Sequence, residues 1–436
     1  MIAQVIVDIP NDAVDRVFDY IALKNTQIGM RVKVPFAGRF VLGYVIQLSE
    51  KSQVDPSKLK TITKNLEDKP KLMPEILNLC QFMSRHFFLR LSDCIRLALP
   101  SCVRLDTQHE QLEYNLSLLY DFDTAINIIG KRAKNQVALV AFLNENGTIP
   151  FLKAVEMFGR QSVNALVDKG IVLKNSTRKM RAPVVEAGAE AKNILTPAQQ
   201  EAVQTMQNQN KTFLLKGVTG SGKTEVYMTI IEQALNQGKT AIMLVPEISL
   251  TPQMMQRFTS RFPNDVAVLH SRLSDGERFD EWEKIFSGNA HVILGARSAI
   301  FAPVKNLGVI VIDEEHDGSY VSENNPRYDA HTVAEFRARA NACPLILGSA
   351  TPSLESYNKA MKGEYQLVEL KQRINGSAMP DIEIVDMTNE VMDGNMSPFS
   401  KSLVAKLDKC VKDKKQAIIF INRRGFASFV ICRECG

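Results

Sequence analysis

Residues 217–224 read Gly217-Val218-Thr219-Gly220-Ser221-Gly222-Lys223-Thr224, a GxxxxGK[ST] run between an apolar stretch at 212–215 and an amphipathic stretch at 225–235. A strand before and a helix after is the context that a phosphate-binding loop requires. In a chain of 436 residues a chance match arises about once in a hundred, before that context is counted. The glycines let backbone N–H groups close around phosphates at a helix N-terminus. Lys223 is expected to reach the β- and γ-phosphates, and the Thr224 hydroxyl to ligate Mg²⁺. ATP and Mg²⁺ are therefore the expected cofactors, with the whole run from Gly217 to Thr224 as the binding residues.

Outward from this loop, short apolar strands alternate with amphipathic helices. The strands are read at 212–215, 241–245, 266–269, 291–294, 309–312 and 345–347. This alternation indicates a doubly wound parallel sheet in a multi-domain α/β chain. The strand at 309–312 runs into Asp313-Glu314-Glu315-His316, which puts acids at the carboxyl edge of the sheet, beside the phosphate loop. An acidic cluster after a strand is ordinarily a solvated turn. In the same sheet as a phosphate loop it reads as catalytic: Asp313 joins Thr224 in holding Mg²⁺, and Glu314 polarises the attacking water. Lys223, Asp313 and Glu314 are thus the expected catalytic set. Upstream, Leu195-Thr196-Pro197-Ala198-Gln199 places an amide able to pair with an adenine edge as donor and acceptor.

At about 150 residues per domain the length makes roughly three domains. With 45% hydrophobic and 23% charged residues, and only 23 glycines and 18 prolines, the composition excludes collagen-like and largely disordered classes. No apolar run approaches the roughly 18 to 20 residues of a membrane span, so a soluble, cytoplasmic protein is expected. Of seven cysteines, five are scattered and suggest no disulfide framework. The net charge of +5 is unevenly placed: residues 131–181 hold ten Lys and Arg against three acids, leaving −2 for the rest. Helical patterns at 135–143, from Phe151, and at 160–167, then a strand at 171–174, give that basic segment the look of a winged helix, assigned to 106–181. Its expected phosphate contacts include Arg160, Lys169, Lys174, Arg178 and Lys179. Residues 1–50 alternate apolar and polar as a small β-rich unit, closed by a helix at 73–90, and 1–105 form the first domain. Residues 182–193 read as a linker.

Taken together, the phosphate loop, the Asp313 to His316 box, Gly348-Ser349-Ala350-Thr351-Pro352 and Val245-Pro246-Glu247-Ile248-Ser249-Leu250-Thr251 resemble the motor of superfamily 2 helicases. A narrower resemblance, to the PriA family of primosomal helicases, is carried by Gly295-Ala296-Arg297-Ser298, by residues 320–337, and by Asn422-Arg423-Arg424-Gly425-Phe426 running into Cys432-Arg433-Glu434-Cys435. Phe18-Asp19-Tyr20 and Arg31-Val32-Lys33-Val34-Pro35-Phe36 add to it at the N-terminus. The resemblance implies a RecA-like helicase lobe at 194–386, the start of a second lobe at 387–436, and a 3′-end DNA-binding domain at 1–105. It implies an ATP-dependent 3′→5′ DNA helicase that recognises stalled or collapsed replication forks and initiates restart by primosome assembly. The implied partners are forked and single-stranded DNA, the 3′ end of the leading strand, other primosome proteins, a replicative helicase loader and single-strand-binding protein, with no membrane.

By position in that resemblance, Phe18, Asp19, Tyr20 and Lys60 grip the terminal 3′ nucleotide. Aromatic rings can stack on a base, and an ammonium can meet a phosphate. Arg297 is implied as a DNA contact, as are Tyr320, Arg327 and Tyr328, which with Phe336 belong to an aromatic-rich loop coupling DNA to hydrolysis. Ala37 stands where the family has a glycine. Cys432 and Cys435 have the spacing of half a tetrahedral zinc site. The resemblance implies two Zn²⁺ ions completed by later cysteine pairs, so the chain is expected to be an N-terminal fragment that is not a competent helicase alone. A fork-binding scaffold with dispensable ATPase is the alternative, and the intact acid box beside Lys223 weighs against it.

Overall fold

The computed structural model describes residues 1–105, 107, 111–129, 133–179, 181, 193–207, 209–374 and 381–420. It divides into two compact units, 1–376 and 377–436. Within the described residues no helix is long and apolar enough to cross a membrane.

The first unit begins with a six-stranded sheet of β1 (Ile2–Val7), β2 (Val17–Ile21), β3 (Arg31–Phe36), β4 (Arg39–Ser49), β5 (Lys60–Thr61) and β6 (Lys64–Asn65), ordered β5-β2-β1-β4-β3-β6. Alternation buries one side of it, with Ala3, Val5, Val7, Val32, Val34 and Val45 in one cluster. Three helices follow, α1 (Pro74–His86), α2 (Leu91–Ala98) and α3 (Ser101–Arg104). The continuous helix expected at 73–90 is broken: Phe88 takes φ +53°, and the chain restarts at Leu91. The cause lies far away in sequence, where Asp15 accepts the free N–H groups of Leu91 and Ser92 at 2.9 and 3.1 Å and so caps α2 from outside.

A winged-helix module follows. Strand β7 (Gln111–Leu118) pairs with both β8 (Thr148–Pro150) and β9 (Val172–Lys179), around α4 (Phe122–Ile129), α5 (Lys134–Asn146), α6 (Phe151–Phe158) and α7 (Arg160–Asp168). Its own core gathers Leu116, Leu139, Leu143, Val163 and Leu166. The basic pattern at 131–181 contained α5 to α7 but gave no sign of β7, α4 or β8. Lys174, read as a phosphate contact, is exposed, with its ammonium 4.2 Å from the Tyr114 ring and 4.1 Å from that of Phe151.

The rest of the unit is α8 (Pro197–Met206), β10 (Thr212–Gly217), α9 (Lys223–Asn236), β11 (Thr240–Leu244), α10 (Pro252–Arg261), β12 (Val266–Leu269), α11 (Asp275–Ser287), β13 (Val292–Gly295), β14 (Leu307–Asp313), α12 (Ala330–Ala340), β15 (Leu345–Ser349), α13 (Leu354–Met361) and β16 (Gln366–Leu370). The seven strands form one parallel sheet, ordered β12-β13-β11-β14-β15-β10-β16. Because successive side chains point to opposite faces, each apolar strand feeds two cores. Ile310 and Ile312 lie in one, Val309 and Val311 in the other.

The first of these cores also contains Leu77, Cys80, Met83, Cys94, Ile95 and Cys102. The N-terminal helices thus do more than close the small β unit, because they cover one face of the large sheet. Polar contacts lock them there. Arg337 of α12, 0% exposed, donates to both carboxylate oxygens of Glu75 on α1 at 2.8 and 3.0 Å, and to the carbonyls of Ile300 and Ala302. Asp8, just past β1, takes Arg96 and Arg104, and Arg31 on β3 reaches Glu67 and the carbonyls of Val103 and Arg104. The second unit holds α14 (Met387–Met392), capped by Asp386, and α15 (Lys401–Lys412), capped by Ser400.

Two outcomes follow. Glu75→Ala leaves the Arg337 guanidinium buried without its counter-charge and lowers stability by about 3 kcal/mol, read from the urea midpoint, while Glu75→Gln costs less because it keeps an acceptor. Lys174→Ala removes both ring contacts and costs about 1 kcal/mol, measured as a fall in the thermal midpoint of the module's transition.

Candidate nucleotide and DNA sites

Strand β10 delivers Gly217 to the carboxyl edge of the sheet, and α9 begins at Lys223. Between them Gly220 and Gly222 take φ +81° and +79°, a region that other residues enter only with strain. A Cβ at Gly217 would stand 2.6 Å from Ser221 Oγ, and one at Gly222 would overlap Gln199 Nε2. The loop is therefore a cradle with room for backbone only. Ser221 Oγ is buried with no hydrogen-bond partner among the described residues. Lys223 Nζ donates to Gly217 O at 3.0 Å, folded across the mouth of the loop. Free N–H groups at a helix start, a glycine-lined hollow, an orphaned hydroxyl and a lysine at its rim together fit a polyphosphate. Thr224 is half-buried beside it.

Gln199 faces this loop in a different way from the one its sequence suggested. Its Oε1 accepts from Thr196 N at 2.9 Å in a capping box, and its Nε2 donates to Ser221 O at 2.9 Å. Its oxygen thus caps α8, while its nitrogen ties that helix to the phosphate loop.

Asp313 ends β14, two strands from β10. Burial and the neighbouring charge of Glu314 hold its carboxyl above the usual range, opposed by a hydrogen bond from Tyr227 and the charge of Lys223. Glu314 takes φ +46°, a strained turn that carries it out of the strand line. Glu315, 2% exposed, is consumed structurally: it accepts from Ser353 N, Ser353 Oγ and Ser356 Oγ at 2.7, 2.9 and 2.8 Å. His316 Nδ1 lies 2.7 Å from Ser349 Oγ. The acid box is thereby tied to the residues from Gly348 to Pro352. Sequence spacing held no sign of that linkage, nor of Tyr227, whose hydroxyl donates to Asp313 Oδ1 at 3.0 Å.

The residues assigned to DNA divide sharply. Tyr320 and Tyr328 are core residues, 1% and 4% exposed, and Tyr320 Oη donates to Asp313 O at 2.6 Å. Arg297 braces the same loop through the carbonyls of Ser319 and Val321 and lies 5.4 Å from the Tyr328 ring. Phe336 stacks on Phe82 at 4.0 Å. Arg327 is exposed. Arg297 also borders a cavity of about 570 Å³ together with Arg278, Glu247, His270 and the Asp8-paired Arg96 and Arg104.

In the N-terminal sheet, Phe18, Asp19, Lys58 and Lys60 line a second cavity, of about 1040 Å³, with Arg16, Phe36 and Ser52. Asp19 Oδ2 accepts from Ser52 Oγ at 2.5 Å, and the Phe18 ring meets Phe36 edge-on at 5.0 Å. Tyr20 also borders the cavity, yet it is 4% exposed and donates to Pro35 O at 3.3 Å, so its ring is packed and not free to stack on a base. Ala37 and Gly38 form the two-residue turn between Phe36 and Arg39, at φ +46° and +78°. Ala37 thus holds a backbone shape that glycine adopts without strain. Cys432 and Cys435 lie outside the described residues, among which no group of three or more His, Cys, Asp or Glu side chains could hold a metal ion.

Comparison with known proteins finds matches to two domain models and to curated relatives. A model described as the PriA 3′ DNA-binding domain matches residues 4–100, and the DEAD/DEAH box helicase model matches 196–360. Replication restart protein PriA of Bacillus subtilis is 37% identical, over 100% of this chain and 64% of its own length. The Synechocystis protein of that name is 42% identical over 73% of this chain and 39% of its own, and the Haemophilus influenzae one 35% over 97% and 59%. The chain therefore spans less than two thirds of the curated relatives it matches. With a PriA 3′ DNA-binding domain model matched at 4–100, a helicase model at 196–360, and identities of 35–42% to these relatives, the chain is similar along its length to the PriA replication restart proteins.

Proposed function

We propose that the chain acts as an ATP-dependent 3′→5′ DNA helicase that recognises stalled or collapsed replication forks and initiates restart by primosome assembly. The observation that carries this reading is the meeting of a formed phosphate loop and the Asp313-Glu314 pair at one sheet edge, in a chain that also holds an N-terminal cavity lined by Asp19 and lysines. Loop N–H groups and Lys223 bind the phosphates; Thr224 and Asp313 hold Mg²⁺; Glu314 orients the water. When bound, Mg²⁺ supplies positive charge to the phosphate oxygens. The loop at 317–329 couples to this edge from within, since Tyr320 reaches the Asp313 backbone while Arg297 braces the same loop beside the 570 Å³ cavity.

In this reading residues 1–105 take the 3′ end of the leading strand, 106–181 bind duplex phosphates, 194–386 form the ATP-binding lobe and 387–436 begin the second lobe. Cys432 and Cys435 supply half of one of two zinc sites. Forked and single-stranded DNA are the substrates. Other primosome proteins, the helicase loader and single-strand-binding protein are the protein partners, and the setting is the cytoplasm.

Lys223→Ala is expected to cut DNA-stimulated ATP hydrolysis about 10²-fold or more, because it removes the cation on the transferring phosphate. Phosphate release measured with and without forked DNA checks this, and an undiminished stimulated rate sinks the reading. DNA ending in a 3′-hydroxyl is expected to bind about tenfold more tightly than the same strand ending in a 3′-phosphate, since about 1.4 kcal/mol of repulsion at the Asp19 carboxylate corresponds to one decade. Fluorescence anisotropy with the two ends decides it, and Asp19→Asn should narrow the difference.

A further inference from the structure

The strands that carry the phosphate loop and the acid box are not neighbours, because β15 runs between β10 and β14. On β15, Gly348 stands in register with Leu215 on one side and Asp313 on the other. Tyr227 bridges that gap. It sits one helical turn past Lys223 and Thr224 on α9, is fully buried, and lies against Gly348, with its hydroxyl on Asp313 Oδ1 at 3.0 Å. A Cβ at residue 348 would overlap Tyr227 Oη and stand 2.7 Å from Cζ. Glycine inside a central strand costs about 0.5–1 kcal/mol relative to alanine. Here its bare backbone is the opening through which the hydroxyl reaches the next strand.

Resting on the nucleotide-site reading above, we propose that Tyr227 is a positioning residue for Asp313. It ties the metal-side carboxylate to the helix that bears Lys223 and Thr224, with Gly348 as its passage across β15. The three groups at the phosphate end then keep one fixed spacing. Oδ1 is held by the phenol, which leaves Oδ2 to face a cation. Groups that orient a metal-binding carboxylate from behind contribute about 10- to 100-fold to metal affinity. A purely structural tyrosine would contribute packing alone, and phenylalanine would keep that packing.

The test is Tyr227→Phe in the chain as it stands, with bound Mn²⁺ followed by electron paramagnetic resonance in saturating ADP, and with binding of a fluorescent ADP in EDTA. The expected result is Mn²⁺ affinity weaker by about tenfold, while metal-free nucleotide affinity and the thermal midpoint stay at the parent's values. Equal Mn²⁺ affinity in parent and variant overturns the proposal, and so does a loss of metal-free nucleotide affinity, which would mark Tyr227 as part of the loop's packing. If the parent chain holds neither ADP nor Mn²⁺, it is the nucleotide-site reading itself that fails. Gly348→Ala is the second variant: displacing the hydroxyl by crowding should weaken Mn²⁺ in the same direction as Tyr227→Phe, and unchanged Mn²⁺ affinity in it also counts against the proposal.

Discussion

A guanidinium with no access to water must find every partner within the protein, and Arg337 does so by drawing three distant parts of the chain to one point. Its nitrogens satisfy Glu75 of an N-terminal helix and the carbonyls of Ile300 and Ala302 just before β14. Removing a charge from water is expensive, and only a saturated geometry makes the arrangement tolerable. The result is directional. Apolar packing alone would let α1 slide on the sheet face, whereas the paired carboxylate oxygens fix both its distance and its rotation. From that anchored face follow the attachment of α2 and α3, and through Asp8, Asp15 and Arg31 the placement of the small β unit.

The acid box divides its labour by burial. Asp313 stays at the mouth of the sheet, in contact with Tyr227 and with the charge of Lys223. Glu314 leaves the strand through a strained turn, while Glu315 turns inward and is fully occupied by the start of α13. His316 reaches the serine of the next strand's motif. Four consecutive residues thus face four directions, and only the first two remain free for chemistry. The aromatic loop is likewise built from the inside: Tyr320 holds its shape against the Asp313 backbone, and Tyr328 packs beside Arg297.

The sheet was legible because its strands are buried on both faces and read as unbroken apolar runs, and the phosphate loop because glycine spacing is imposed by the phosphate itself. Strands β8 and β16 were not legible, being short or at a sheet margin, and β7, though central in its sheet, is exposed along its first half and shows no apolar run. The break after α1 was hidden because its cap, Asp15, comes from elsewhere in the chain. Residue type misled at Tyr20, Tyr320 and Tyr328, where rings able to stack on a base serve the interior instead. The cap formed by Gln199 was not legible, since an amide with both donor and acceptor suits a base and suits a helix cap equally. Tyr227 was invisible for want of any motif, and only the register of Gly348 with Asp313 gives it meaning.

The shared core has a consequence for synthesis. Glu75 and Arg337 are separated by 262 positions. At roughly 5–20 residues per second on the ribosome, the helices from Pro74 to Arg104 emerge on the order of tens of seconds before α12 exists to cover them. Their apolar faces wait through that interval without a native partner, while the small β sheet and the winged helix can complete their own cores. The nascent chain is thus most open to chaperone capture, and to misassociation with its neighbours, at the segment that later joins the N-terminal region to the large parallel sheet.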